Sequence, residues 1–473
     1  MTTPYFVLKN LRLLVGLAVV LSAVAATGSG AEAQAAQAVS PDRTMRQLER
    51  IVHDRVDSGR SAGIVAGMVF ADGSTRVVAY GDAGGGRRMD KRSVFEIGSI
   101  TKTFTGTLLA DMAQRGEVRL TDPVASLLPP GVTVPSRGGR QITLQDLATQ
   151  TSGLPELPTN LAITDPANPY ADYTVEQLYA FLNGYTLTRD PGAQFEYSNV
   201  GVGLLGHALA LRAHKSYEEL VRERILAPLG MTSSAITITP SMARNFASGH
   251  NADGAIVAPW DWPTLAGAGA LRSSITDMLA YASANLDDEG GPLRQAMATA
   301  RSPRERIGAQ AQIGLNWFTQ RTGDDDIVWH NGETGGFQSF IGLDEARKTA
   351  IVVLSNSATL EGVHDIGFHM LDKRLALTAP STHKEIKLPA RVLQRYVGVY
   401  DFAGVKVTIT RSPQGLIAQI PGQETVRLYA ESETEFFMKL VDAQLTFEAD
   451  SKGRVTGAVL HQDGQTFPGQ KIG

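Results

Sequence analysis

Strand-like runs stand at both ends of a long helical stretch, and this arrangement limits the fold more than any other feature of the chain. "MRQLERIVHDRV" (Met45 to Val56) has helical apolar spacing, and "IVAGMVFA" and "TRVVAYG" after it read as paired strands. Gly73 in "ADGS" supplies the hairpin turn between them. From Ser99 to about Ala280 helical patterns dominate, broken by Pro/Gly-rich loops such as "LLPPGVTVPSRGG". Strands return in "IVWH", "QSFIGLD" and "TAIVVLSN", the last two joined by the charged turn Glu345 to Lys348. The pattern predicts an α+β fold: one antiparallel sheet built from distant parts of the chain, flanked by helices, with a helical subdomain.

The texture changes after "LTAPSTHKEIKLP" (Leu377 to Pro389), a polar, proline-bounded stretch that reads as a linker. Beyond it, "VKVTIT", "LIAQI", "VRLYA", "FFMKL", "LTFEA" and "VTGAVLH" are short β-rich runs spaced as in a small barrel or sandwich. With 473 residues the chain is too long for one small core, so a large domain plus a smaller one is expected. The expected boundaries are 1–38 for a signal peptide, 42–376 for the main domain, 377–389 for the linker and 390–473 for a separate all-β domain.

The N-terminus carries the three parts of a secretory signal. Lys9 and Arg12 are its basic region, Leu13 to Ala26 its apolar segment, and Ala31-Glu32-Ala33 and Ala36-Gln37-Ala38 its small-residue sites. Export to a bacterial periplasm or medium follows as an expectation, with no stable membrane span after cleavage. A net charge of −4 with no Lys/Arg-rich run points away from nucleic acid and anionic membrane surfaces. The absence of cysteine removes disulfides, thiolate metal sites and a cysteine nucleophile.

"FEIGSITKTFTG" (Phe95 to Gly106) places Ser99 and Lys102 three apart where an apolar helix begins. Phe104, Leu108, Leu109 and Met112 fall on one face of that helix, and Gly116 can end it. Residues i and i+3 share a side, so Lys102 can reach Ser99. The pair reads either as a capping serine followed by a solvated lysine, or as a nucleophile with its base. "PGAQFEYSNVGVGLLG" adds Tyr197 and Asn199 before a second apolar helix, and "IVWHNGETGGFQSF" adds His330-Asn331-Gly332 at a strand end. A phenol can relay a proton, a carboxamide can hold both a lysine and a carbonyl, and glycine admits a ligand to the main chain.

At these residues the chain resembles the serine β-lactamase and penicillin-recognising hydrolase family, in its class C and DD-peptidase branch. Ser99-Ile100-Thr101-Lys102 looks like the first motif, Tyr197-Ser198-Asn199 the second and His330-Asn331-Gly332 the third. "ITLQDLATQTSGLP", "ILAPLGM" and "GALRSSITDML" are similar as well, and the tail is similar to a lipocalin-like β-domain. The resemblance implies a Ser99 acyl-enzyme, with Lys102 and Tyr197 handling its proton and no cofactor or metal. The backbone N–H groups of Ser99 and Glu333 would form the oxyanion hole. Asn199, Asn331 and Gly332 would bind substrate, Asn199 also orienting Lys102, and His330 would help bind the substrate carboxylate or tune Tyr197. The implied partners are small-molecule or peptide substrates: D-amino-acid amides, β-lactams or, alternatively, esters. An inactive penicillin-binding module is the non-enzyme alternative.

Four decoys are weighed against this reading. "GRSAG" around Ser61 matches an esterase elbow, but a helix precedes it and a strand follows, the reverse of what that elbow needs. His364 and His369 lack metal-ligand spacing, and "GDAGGG" lacks the lysine of a phosphate loop. Glu333-Thr334-Gly335 is rejected as the third motif because the shift would break strand register.

Overall fold

The computed structural model describes residues 40–473 apart from 324, 360–361, 380–382, 414, 421–424, 440–442 and 463–464. The expected signal peptide lies outside the described residues. Two compact units are present, one ending at Thr378 and one beginning at Ala379.

The first unit is built on a nine-stranded antiparallel sheet. Its strands are β1 (Gly63–Val69), β2 (Thr75–Gly84), β3 (Arg87–Arg88), β4 (Glu305–Arg306), β5 (Ala311–Ile313), β6 (Phe318–Thr322), β7 (Asp325–Glu333), β8 (Gln338–Asp344) and β9 (Thr349–Ser355). They lie in the order β4-β5-β6-β7-β8-β9-β1-β2-β3. The early and late parts of this unit therefore meet at the β9–β1 seam, where Ile64 pairs with Ser355 and Val69 with Ala350. Every residue of β1 is buried, because strands flank both its edges and helices cover the sheet.

Helix α1 (Pro41–Asp57) has Pro41 in its first turn, where the missing N–H costs nothing. Its Arg55 is buried against Asp365 of helix α5 (His364–Leu371) at 2.6 Å, pinning the two helices together. Helix α4 (Ile275–Leu286) packs on β1 and β9.

Helix α2 (Thr101–Gln114) buries the expected apolar face of Phe104, Leu108, Leu109 and Met112, and its other faces as well. All residues from Thr101 to Met112 are buried, so it is an interior helix covered on every side, although Lys102, Asp111 and four threonines are among them. Its threonines are tolerated there because their hydroxyls bond backward to main-chain oxygens: Thr103 to Ile100 at 2.8 Å and Thr107 to Thr103 at 2.9 Å. Gly106 is required by a close crossing, since a Cβ there would lie 1.9 Å from the Leu315 carbonyl oxygen.

The second unit is a closed eight-stranded barrel running from Gly398–Phe402 to Gln465–Lys471. First and last strands close it through Tyr400–Lys471 and Asp401–Gln470. Inward residues such as Tyr400, Ile409, Leu416, Phe436, Phe447 and Leu460 fill its interior. Among the described residues, no helix is long and apolar enough to cross a membrane.

Candidate active site

Ser99 does not cap α2. It sits in a single 3₁₀ turn, Gly98–Ile100, ahead of the helix, and the capping position falls on Ile100 without a side-chain bond. Gly98 takes φ +49°, and a Cβ on it would lie 2.7 Å from both the N and the O of Glu333. A Cβ on Gly332 would lie 2.0 Å from the Ile97 carbonyl oxygen, which already accepts the Ser339 hydroxyl at 2.9 Å. The turn before the serine is thus pressed backbone to backbone against the end of β7. Only glycine permits this on either side. Ser99 itself stays half-buried among fully buried neighbours.

Lys102 reaches back from the first turn of α2. Its Nζ is 2.9 Å from Ser99 Oγ, 2.7 Å from Asn199 Oδ1 and 2.7 Å from the Ala268 carbonyl oxygen. Both carbonyls can only accept, so they take two N–H bonds and leave the third position on nitrogen facing Ser99. That position holds either a third N–H or a lone pair, and the proton in question lies on the Ser99–Lys102 line. Full burial pushes the ammonium well below the usual lysine range, with Glu156 pulling the other way.

Tyr197 lies with its ring centroid 4.8 Å from Lys102 Nζ. Its buried hydroxyl faces the Ser99 hydroxyl without closing a full hydrogen bond among the described residues. Burial pushes the phenol up, the Ser99 hydroxyl draws it part-way back, and Glu156 raises it further. Asn199 opens helix α3 (Asn199–Ala213), with Ser198 as its N-cap bonding Gly201 N at 2.9 Å.

A neighbouring loop holds this segment in place. Gln150, at φ +60°, gives its carbonyl to Glu196 N at 2.8 Å and its Oε1 to Ser198 N at 2.7 Å. Its Nε2 donates to Asn316 Oδ1 at 3.1 Å. Ser198 Oγ donates to the Pro155 carbonyl at 2.6 Å, and the Glu156 carbonyl accepts Asn199 N at 2.9 Å and Val200 N at 3.1 Å.

His330 and Gly332 lie within β7, whereas Thr334 and Gly335 lie in the turn beyond it. His330 is buried beside Phe318, ring centroids 5.1 Å apart. Its Nδ1 stands 2.6 Å from the Asn331 carbonyl oxygen, which can only accept, so Nδ1 carries the ring proton and Nε2 presents a lone pair. Nε2 has no partner among the described residues. Burial, reinforced by Lys102, pushes the imidazole down to about 3, so it is neutral. Asn331 enters this cluster through its carbonyl, since strand alternation sends its side chain to the opposite face from His330.

A family model for beta-lactamase matches residues 48–371, about two thirds of the chain. The chain belongs to the beta-lactamase family. Within that family it is 29% identical to the D-alanyl-D-alanine-carboxypeptidase/endopeptidase AmpH of Escherichia coli K12, over 78% of this chain and 98% of that one. It is 26% identical to protein flp of Staphylococcus aureus N315, over 77% of this chain and 72% of that one. The solved beta-lactamase/D-alanine carboxypeptidase of Yersinia pestis, complexed with citrate, superposes with a TM-score of 0.60 at 25% identity, covering 67% of this chain and 94% of that one. A class C beta-lactamase carrying a tyrosine-to-phenylalanine substitution shares the fold at a TM-score of 0.62 and 20% identity, covering 71% of this chain and 99% of that one. A second family model, described as a domain of unknown function, matches residues 382–471.

Several residues around this beta-lactamase-family site carry no role in the sequence reading. Gln150 and Arg272 fall inside stretches that resemble the family, but only the fold shows what they hold. Glu96 is buried, accepts Trp260 N at 2.9 Å and Arg272 Nη2 at 3.3 Å, and is pushed up to about 7 by burial. The ion pair reinforces the direct pairing of strand Val94–Glu96, which leads into the Ser99 turn, with strand Arg272–Ser274. The Ala268 carbonyl has no side-chain signature at all. Ser61 is buried, with its hydroxyl 2.8 Å from Ser355 Oγ at the β9–β1 seam, a packing position. His369 uses one ring nitrogen on the Leu375 carbonyl and the other on Gln47.

Proposed function

We propose that the protein is an exported serine hydrolase that works through an acyl-enzyme on Ser99, with D-amino-acid amide bonds or the β-lactams that mimic them as substrates. The carrying observation is the three-way coordination of Lys102 Nζ, which leaves one position on the amine for the serine proton. The names of the relatives from Escherichia coli and Yersinia pestis support the substrate class. Residues 42–376 would be the catalytic domain, 377–389 a linker and 390–473 a separate β-domain, with export directed by residues 1–38.

In the proposed reaction Ser99 Oγ bonds to the substrate carbonyl carbon as its proton passes to Lys102 Nζ. Negative charge develops on the carbonyl oxygen between the N–H groups of Ser99 and Glu333. The C–N bond then breaks, and the leaving nitrogen takes a proton through the Tyr197 hydroxyl. A water repeats the sequence to release the acid. His330 presents a lone pair and Tyr197 a hydroxyl, so the imidazole suits the tuning role better than it suits a substrate carboxylate. That same neutrality favours a carboxylesterase as the second reading. Ester turnover with neither β-lactam consumption nor acylation would select it.

The pH dependence of kcat/KM tests the assignment of base and acid. Lys102 must be neutral, and burial lowers its pKa, so activity should rise with pH through a limb well below 10.5, the ordinary lysine value. Tyr197 must keep its proton, and burial raises its pKa, so the alkaline limb should lie above 10.0. A rising limb at the ordinary lysine value, or an alkaline limb near neutrality, would contradict the assignment.

A further inference from the structure

Two fully buried residues behind Tyr197, Gln150 and Asn316, hold left-handed backbone at φ +60° and +64°. Asparagine enters that region more easily than most residues, and glutamine has no such advantage. Strain of this kind persists only where the surroundings over-determine it. At Gln150 three hydrogen bonds do so. Its carbonyl accepts Glu196 N at 2.8 Å and its Oε1 accepts Ser198 N at 2.7 Å, so one residue grips the main chain on both sides of Tyr197. The Ser198 N–H can only donate, which turns Gln150 Nε2 to Asn316 Oδ1 at 3.1 Å. Two fixed N–H groups either side of a Cα set the direction of its side chain. The phenol depends on that clamp, because no closed hydrogen bond among the described residues ties its hydroxyl. Asn316 in turn gives its N–H to the Ala148 carbonyl at 2.8 Å. Its neighbour Leu315 sets a carbonyl oxygen against Gly106, one turn beyond Lys102 in α2. The Gln150–Asn316 bond thus links the loop that carries Tyr197 to the helix that carries Lys102.

We infer that Gln150 and Asn316 are a pair of positioning residues that hold the Tyr197 hydroxyl where it can protonate the leaving group. Their bonds end on the main chain and on each other rather than on Ser99 or Lys102, so they act through the phenol. This rests on the Ser99 acyl-enzyme reading, in which Tyr197 delivers the last proton. An amide nitrogen or an alkoxide departs only with that proton, whereas p-nitrophenolate departs without one. Disrupting the pair therefore slows the first two leaving groups selectively.

The test measures kcat/KM on the whole mature protein for the p-nitroanilide, methyl ester and p-nitrophenyl ester of D-alanine. Gln150→Leu removes both side-chain bonds. It is expected to slow the anilide and the methyl ester about 30-fold, part of the roughly 10²–10⁴-fold that a positioned acid contributes, and the p-nitrophenyl ester less than about threefold. Gln150→His should recover most of the loss, because a neutral imidazole also offers one acceptor and one donor and tolerates left-handed backbone. In a Tyr197→Phe background, Gln150→Leu should add less than about twofold, its effect being exerted through the phenol. Asn316→Gly suits φ +64° and removes only the acceptor, so it should give the same selective loss, about fivefold, even where Gln150→Leu fails to fold. Equal slowing of all three substrates, no slowing of any, or a full further loss in Tyr197→Phe overturns the inference. So does a parent protein that cleaves only the p-nitrophenyl ester, since it has no acid to position. In each of these cases Ser99-dependent turnover leaves the hydrolase reading standing. No Ser99-dependent turnover of any of the three sinks that reading and the inference with it.

Discussion

Replacing Lys102 with methionine is expected to lower kcat/KM by about 10³-fold or more while leaving a folded protein. Methionine is unbranched and adaptable, so it can occupy the volume of the buried lysine stem. It cannot take a proton from Ser99, and no other amine contacts the serine oxygen among the described residues. The Asn199 and Ala268 carbonyls lose their donor, at a cost of roughly 1–3 kcal/mol each. Part of that is offset because an amine no longer has to be kept out of water. A melting curve and kcat/KM with p-nitrophenyl acetate separate the two effects. Activity within tenfold of the parent would show that the serine proton goes elsewhere, with Tyr197 as the next base to examine.

Gly332→Ala is expected to reduce kcat by about 10²–10³-fold, the effect of losing one aligned oxyanion donor. The added Cβ would meet the Ile97 carbonyl at 2.0 Å and Ser339 Oγ at 2.5 Å. The first is backbone of the turn that carries Ser99, so the strand end and the turn must separate. That separation moves Glu333 N away from Gly98 and Ser99. Overpacking of this kind also costs about 1–3 kcal/mol of stability, which a thermal melt would register. The loss should appear in kcat rather than in KM, because the donor serves charge that exists only in the transition state. A variant with kcat within threefold of the parent would remove this backbone contact from the mechanism.

The features that the sequence disclosed are those with a local signature. Ser99 and Lys102 are three residues apart, and helical geometry alone brings them together. The runs "IVAGMVFA" and "TAIVVLSN" are rich in β-branched residues because both faces of their strands are covered, and they pair as neighbours in the sheet. The features that escaped depend on contacts far apart in the chain or on main-chain atoms. The Ala268 carbonyl on Lys102 and the Gln150 amide on Ser198 are of this kind.

Ser99 looked like a cap because serine before an apolar run usually is one. Gly98, forced into positive φ by the approach of Glu333, turns the chain once more before the helix starts. Burial of the other faces of α2 was not legible because threonines count as polar until their hydroxyls find main-chain acceptors within the helix. In the second unit, six of the eight strands were marked by their apolar runs. The first, Gly398–Phe402, and the last, Gln465–Lys471 with Pro468 inside it, carry weak patterns. Barrel rather than sandwich is decided by the pairing between just those two.

Trapping the acyl-enzyme tests the central claim most directly. The mature protein and its Ser99→Ala variant would be incubated with benzylpenicillin, p-nitrophenyl acetate and D-alanine p-nitroanilide, quenched in acid, and weighed intact, with peptide mapping of any adduct. The expected result is acylation or consumption of at least one of these donors in the parent, any adduct mapping to the Ser99 peptide, and neither event in the variant. Equal consumption by Ser99→Ala, or an adduct on another residue, would contradict the account.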